Sequence, residues 1–553
     1  METTENIFEL NYKSEKNDYN KLKSILLQIL LIPSLILFGS YQNPDKAKID
    51  YNDFIVIGLY DTENIKSLEN NDLNSQIYHL VISFYENRDY EPAWLNGYTF
   101  NKQFVRYINL LDSAKYFGFP ADYFNATEIK SSFNEIKQSG RNTNFIQKAI
   151  ELEMAATFSA FKYMIFVNQG ISAYDTSEHF LNFIDTLPLY LDKSLKENAL
   201  TNNIKALQPD FVEHQKLIVS LSYFIDLQLS LRYTTPAFID DKLLAKSLYY
   251  TSITSHPQFD STNTKADALF KLQGIYGLRK DSLLNRPTHK VLVDLIDQRY
   301  YQACLNVNRL RKLNQTGNNY LFVNIPSFKL HVIESKQIKE VFNVVVGKKQ
   351  TPTPVLSSSI EKVVANPFWT VPKSIANNEM LNKIRKDSTY LKKHGYYIIN
   401  NYEETVDESL INWNDSDPLG NKYWIRQTNS RANALGQVKF LFPNEYSVYL
   451  HDTPSKSLFK NQYRAYSHGC VRLENPDKLA QYLTDKFNAE KVDMKSLISQ
   501  SEHQVIDLTQ KIDIHIQYIT SLGNENNEIE FYNDIYDLDK KELSSVFQGQ
   551  TQI

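Results

Sequence analysis

Tyr320-Leu-Phe-Val-Asn-Ile325, Phe328-Lys-Leu-His-Val-Ile333 and Val341-Phe-Asn-Val-Val-Val346 decide how the C-terminal half of this chain folds. At Tyr320 the spacing of apolar residues changes from three-and-four to two. The runs are short, rich in β-branched and aromatic residues, and bounded by Pro326, Ser327 and Gly347, as strands between turns are. Further runs at Lys439-Phe-Leu-Phe442, Ser447 to Leu450, Ile512 to Ile519 and Glu528 to Phe531 predict a mostly-β domain over 318–545. Pro372 to Gln427 breaks the pattern, being helical from Asn377 to Leu391 and then polar and loop-like through Asp415-Ser-Asp-Pro-Leu-Gly420. An insertion of this length, just ahead of further strands, reads as a helical lid over about 373–427.

Working outward toward the N-terminus, residues 50–255 predict a helical scaffold. Arg106 to Gly118, Phe145 to Val167 and His214 to Leu231 carry apolar residues at helical spacing, with Gly118, Pro120 and Gly170 as stops. Glu91-Pro-Ala-Trp94 marks a turn with an aromatic plug. Residues 260–300 form a smaller helical module, Ala266 to Leu272 and Thr288 to Ile296 around Gly274-Ile-Tyr-Gly277-Leu278. The fold class is therefore multidomain α+β. At 553 residues the chain is too long for a single core.

Before these comes Ser24-Ile-Leu-Leu-Gln-Ile-Leu-Leu-Ile-Pro-Ser-Leu-Ile-Leu-Phe-Gly39, an almost purely apolar run. It predicts a membrane anchor or signal peptide over 24–40, following a cytoplasmic lead over 1–23. Lys13, Lys16, Lys21 and Lys23 precede it, which places the N-terminus inside and everything after it outside. The expected localisation is the outer, periplasmic side of the inner membrane. The formal net charge of −4 and the absence of a basic stripe argue against a nucleic-acid partner.

The chemistry concentrates between Tyr449 and Leu473. The chain has two cysteines and 11 histidines, with no CxxC or clustered Cys/His spacing, so neither a disulfide framework, a metal nor a cofactor is expected. Cys304 lies in a helical-looking stretch and reads as a small buried hydrophobe. Cys470 ends Ser467-His-Gly-Cys470, where Gly469 lets the backbone turn tightly. His451 follows the apolar alternation Tyr446-Ser-Val-Tyr-Leu450, as if delivered at a strand end. Asn475 and Pro476 read as the start of the next helix, so Cys470 is expected on a loop between a strand and a helix, where the helix dipole would help the thiolate. A Cys with a nearby His supports covalent acyl transfer: the imidazole takes the proton, the thiolate attacks a carbonyl, and N–H groups around Gly469 and Cys470 hold the oxyanion. No third acid stands out; a main-chain carbonyl such as that of Asp452 would orient the imidazole.

His451-x15-Ser467-His468-Gly469-Cys470-Val471-Arg472 resembles the signature of the YkuD-type L,D-transpeptidases. Val323-Asn-Ile-Pro326, Val346-Gly347 with Thr351-Pro-Thr-Pro354, Asn366-Pro-Phe-Trp-Thr-Val-Pro-Lys-Ser374, Arg431-Ala-Asn-Ala-Leu-Gly436 and Lys439-Phe-Leu-Phe-Pro-Asn444 resemble the large YcbB-type subgroup. The resemblance implies a helical scaffold, a peptidoglycan-binding-like module and a lid over the catalytic domain. It implies that Cys470 attacks a tetrapeptide stem of peptidoglycan, expels the terminal D-alanine and leaves a thioester, which an amine of a second stem resolves into a 3–3 crosslink. His451 would be the base. Ser467 and Gly469 would shape the oxyanion site, His468 would line the pocket, and Arg472 would order a substrate carboxylate or the loop. Tyr449 and Trp424 fall where the subgroup places pocket aromatics. Carbapenems are the inhibitors the resemblance implies. The 260–300 module keeps Leu272-Gln-Gly and Gly277-Leu278 but lacks the usual Asp-Gly turn, so it reads as a degenerate repeat. Water or a protein amine could resolve the same thioester, giving an L,D-carboxypeptidase or attachment of a protein to the wall. A wall-binding scaffold with an inert thiol is the non-catalytic alternative. A papain-type peptidase is disfavoured because there the cysteine precedes the histidine.

Overall fold

The computed structural model describes residues 51–547, apart from 60–71, 121, 140–142, 172–176, 255–257, 259–261 and 314–316. The segments read above as a cytoplasmic lead (1–23) and an anchor or signal peptide (24–40) lie outside the described residues. Among those described, no helix is long and apolar enough to cross a membrane.

The chain forms two compact units that divide at Gln208/Pro209, inside the span read as scaffold; Lys115–Pro120 goes with the second. The first unit is helical: α1 Asn52–Leu59, α2 Leu73–Glu86, α3 Lys102–Asp112, α4 Ala126–Ser139, α5 Thr143–Gln169, α6 Glu178–Ile184, α7 Leu187–Lys196 and α8 Leu200–Ala206, with a two-stranded hairpin, β1 Leu95–Asn96 and β2 Thr99–Phe100. The Glu91-Pro-Ala-Trp94 turn is held by Glu153 of α5, which is wholly buried. Its carboxylate accepts the N–H groups of Ala93, Trp94 and Leu95 and the Tyr85 hydroxyl, and the Trp94 indole donates to Thr157 Oγ1 at 2.9 Å. A buried carboxylate persists because donors surround it.

The second unit opens with helices α9 Val212–Tyr233, α10 Asp241–Tyr250, α11 Thr262–Ile275 and α12 Arg286–Arg311. Helix α12 joins the Thr288–Ile296 run and the helical-looking stretch around Cys304 into one element. Buried Gln273 organises the turn between α11 and α12: it donates to Asp281 and Thr288 and accepts the N–H groups of Asp281 and Ser282. A nine-stranded mixed sheet follows, built from β3 Tyr320–Asn324, β4 Lys329–Glu334, β5 Gln337–Gly347, β6 Leu356–Ala365, β11 Val438–Leu441, β12 Leu450–His451, β13 Ala465–Ser467, β14 Val471–Leu473 and β15 Gln504–Gln517. Its order is β13-β5-β14-β12-β11-β6-β15-β3-β4. The sheet closes on itself because the first half of long β5 pairs with β4 and its end with β14 and β13. Leu321, Val344, Val363, Phe440, Leu450, Val471 and Ile514 fill one face, where α13 Pro476–Phe487 and α14 Met494–Gln500 pack through Leu479, Leu483 and Met494. Burying each such side chain stabilises the fold by about 2 kcal/mol.

The insertion differs from its sequence reading. Its first part is helical, but 376–380 is wound as a π-helix. The stretch read as loop contains β8 Tyr396–Asn400, β9 Thr405–Val406 and β10 Tyr423–Gln427, which form a separate four-stranded sheet with β7 Trp369–Thr370 in the order β7-β10-β8-β9. It has its own small core of Val371, Met380, Ile384, Ile398, Ile411 and Ile425. These strands escaped the periodicity test because each is short and none alternates: the apolar residues stand side by side, as in Tyr396-Tyr-Ile-Ile399 and Tyr423-Trp-Ile425.

Candidate active site

Strand register assembles the site. Parallel β12 and β14 pair Leu450 with Val471 and His451 with Arg472, and antiparallel β11 pairs Phe440 with Leu450 and Lys439 with His451. Phe440, Leu450 and Val471 point into the core. Successive strand residues face opposite sides, so Lys439, His451 and Arg472 form a row across three strands on the other face. Tyr449 and Cys470 come just before Leu450 and Val471, joined by a bond from the Val471 N–H to the Tyr449 carbonyl at 3.2 Å. His451 is the last residue of its strand, as read from the sequence, although the strand holds only Leu450 and His451.

Cys470 is not on a strand-to-helix loop. It ends a turn between β13 and β14, and a full strand separates it from α13. The start of α13 is therefore not at the thiol; side chains and a main-chain donor act on it instead. Burial pushes the thiol up, and the Tyr449 N–H, Lys439, the Tyr449 hydroxyl and Arg472 pull against that. His451 is 5 % exposed. Burial, reinforced by the charges of Arg472 and Lys439, takes its imidazole down to about 3, against the carbonyls of Asp452 and Leu435. The resting site thus holds an uncharged imidazole able to accept a proton, beside a thiol flanked by two cations.

The turn itself is braced. Ser467 Oγ donates to the Cys470 carbonyl at 2.6 Å and accepts the Gly469 N–H at 3.1 Å. Gly469 has φ of 117°, which excludes other residues without strain. Thr353 Oγ1 donates to the Gly469 carbonyl at 2.8 Å, and Thr351 Oγ1 to the Ser467 carbonyl at 3.1 Å. The Gly469 N–H is therefore engaged within the turn; of the pair named from the sequence, the Cys470 N–H is the one that this bracing does not use.

Asp452 anchors the other side of the site. Its carboxylate accepts the N–H groups of Gln437 at 2.9 Å and Thr453 at 2.7 Å and pairs with Lys456. It is not the acid of a triad. A Cβ on Gly436, at φ of 60°, would lie 2.3 Å from that carboxylate, so only glycine fits. The Asp452 carbonyl lies against the imidazole, as the sequence suggested, joined by that of Leu435. His451 Nδ1 is buried without a well-formed hydrogen bond.

The remaining candidates separate. Tyr449 belongs to the site: its ring lies 5.6 Å from that of His451, edge to face, and its hydroxyl lies close to Cys470 and the Trp369 indole. Trp424 contacts Lys373, whose Nζ is 4.7 Å from the ring centroid; the tryptophan near Tyr449 is Trp369 of β7, just ahead of the insertion, quoted in a motif above but not named there as a site residue. His468 is partly exposed and bonds Glu379 of the π-helical turn at 2.6 Å, tying the insertion to the turn that ends at Cys470. Arg472 is half-buried, with Nε unpartnered. Lys439 was missed as a site residue; its place opposite His451 follows from register alone. Among the described residues no cluster of His, Cys, Asp or Glu could hold a metal ion.

Residues 318–494 match the family model of the YkuD L,D-transpeptidase catalytic domain, and residues 79–221 match a scaffold-domain model. The chain is similar to a Haemophilus influenzae protein named "Putative L,D-transpeptidase", with 34 % identity over 242 residues. That match covers 43 % of this chain and 48 % of the relative, so the chain spans about half the length of the curated relative it matches. Residues 318–494 are a YkuD L,D-transpeptidase catalytic domain, preceded by a helical scaffold domain.

Proposed function

We propose that this protein, with its YkuD catalytic domain, is a peptidoglycan L,D-transpeptidase of the large YcbB type that forms 3–3 crosslinks through a Cys470 thioester. The observation that carries the reading is the row of Lys439, His451 and Arg472 beside Cys470, with an uncharged imidazole next to a cation-flanked thiol.

Cys470 gives its proton to His451 as sulfur attacks the carbonyl between the third and fourth stem residues. The S–C bond forms, and the Cys470 N–H meets the oxyanion. The C–N bond then breaks, and the imidazolium returns the proton to the departing amine. An amine of a second stem attacks the thioester, His451 accepts its proton, and the thiol leaves. Lys439 and Arg472 disfavour a charged imidazole, which speeds the return of the proton to the leaving group. The apolar run at 24–39 supports export, with the catalytic domain outside the inner membrane and its stem-peptide partners there.

Incubation with disaccharide-tetrapeptide and mass analysis of the products tests this. Crosslinked dimers with released D-alanine are expected; tripeptide alone would make the protein a carboxypeptidase. A carbapenem should add its mass to the native protein and not to Cys470→Ala. Without that adduct, the inert-scaffold reading stands.

A further inference from the structure

We propose that Lys439 receives the free carboxylate of the residue that leaves when Cys470 is acylated, so that it selects donors whose scissile bond is the last peptide bond of the chain. The proposal rests on the acyl-transfer reading above and adds a determinant of donor choice to it.

Lys439 has an unusual setting for a lysine of this sheet. Of the sheet's other lysines, Lys329 and Lys339 are exposed to solvent, and Lys362 and Lys511 pair with Asp507 and Glu361. Lys439 is half-buried, and among the described residues no carboxylate pairs with it; the one charge that steadies it is Cys470. Its ammonium instead lies over the Tyr449 ring, with Nζ 3.8 Å from the centroid. A half-buried ammonium facing an aromatic and a thiol is costly in the free protein. It is well placed if an anion arrives during the reaction.

Geometry identifies which anion. Lys439 stands directly opposite His451, and Arg472 stands on the other side of it. Its lean onto Tyr449, the residue whose hydroxyl lies close to the thiol, brings Nζ near enough to Cys470 for the two to act on each other. In a substrate whose last peptide bond is cut, the terminal carboxyl carbon lies within ~4 Å of the attacked carbonyl, about one residue's span. A carboxylate there falls between the thiol and the ammonium. If the chain continued by one residue, that carboxylate would be a neutral amide and Lys439 would stay unmatched. The step itself is unchanged: S–C forms, C–N breaks, and the leaving amino acid departs with its carboxylate still held.

The test uses the full-length protein and two stems identical except at the terminus, one ending in a free D-alanine carboxylate and one in D-alanine carboxamide. Release of the leaving residue is followed by mass spectrometry. The wild type should prefer the carboxylate donor in kcat/KM by about ten- to a hundredfold, the size of a charge-assisted hydrogen bond. Lys439→Met should remove most of that preference, mainly by raising KM for the carboxylate donor. Equal wild-type rates on both donors would overturn the proposal whether or not the variant folds. So would a variant that loses the same factor on both donors, which would make Lys439 only a support for the thiolate. Turnover of neither donor by the wild type would instead defeat the acyl-transfer reading.

Discussion

Cys304 and Cys470 are the chain's only thiols, and both lie near a cation. Cys304 sits inside α12 with no exposed surface, and burial pushes its thiol up to about 12 despite Tyr300 and Arg311. Cys470 ends a turn and is partly exposed. Burial raises it as well, but two cations, a main-chain N–H and a tyrosine hydroxyl oppose the rise, and an uncharged imidazole shares its face. A nearby cation is common to both thiols and so does not by itself make a nucleophile. Access, a proton acceptor and a turn that holds the sulfur outward separate them.

The sharpest way to break this contrast is to delete each thiol. Cys470→Ala should lower acyl transfer by on the order of 10⁴-fold while leaving the melting temperature nearly unchanged. Cys304→Ser should keep the kcat and lose about 1–3 kcal/mol by denaturant unfolding, because it buries a hydroxyl. The reverse pattern would assign the chemistry to the wrong thiol. His451→Gln should reduce kcat by about 10²–10⁴-fold, as expected for removing a general base. Because the imidazole is depressed to about 3 from an ordinary value near 6.5, His451 favours stability above the higher value and subtracts from it as pH falls. His451→Gln should therefore flatten acid destabilisation between those values in urea titrations at stepped pH.

Titration of the buried thiol sharpens the other side. Cys304 is raised from 9.0 to about 12, so its stability contribution is complete below pH 9 and lost as pH climbs toward 12. Over that window the difference between wild type and Cys304→Ser should change by roughly 1.4 kcal/mol per pH unit. Iodoacetamide should label Cys470 in the native protein and Cys304 only in denaturant. Ser467→Ala removes two bonds that brace the turn and should cost about 1–2 kcal/mol together with a loss of kcat. The smallest effect belongs to Glu379→Gln: less than about 1 kcal/mol of stability for an exposed pair, with faster hydrogen exchange in the 373–393 segment as the readout.

Cys470 and His451, the proposed nucleophile and base, could be singled out in the sequence because each lies in a short local pattern: His451 after an alternating run and Cys470 after Ser467-His-Gly. In the first unit, α3 and α5 could be found for the same reason. What escaped depended on pairing at a distance. Lys439 joins the site only through the β11–β12 register, and Trp369 reaches Tyr449 only because the insertion folds as a sheet. Glu379 meets His468 from 89 residues away. The expected helix dipole at Cys470 failed because Val471–Leu473 pairs as a strand, which linear inspection read as a lead-in to the helix. Thr351 and Thr353 were noticed as part of a motif, but their bonds to the nucleophile turn appear only in three dimensions.

The two ladder pairs between β12 and β14 also act as a proofreading device for the protein's own folding. A slip of one residue would turn Val471 outward and drive Arg472 or His451 into the apolar core, so a misregistered chain forfeits its packing along with its chemistry. Folded molecules with a miswired site should then be scarce, and the fraction of a preparation that a covalent inhibitor labels should track the fraction that is folded.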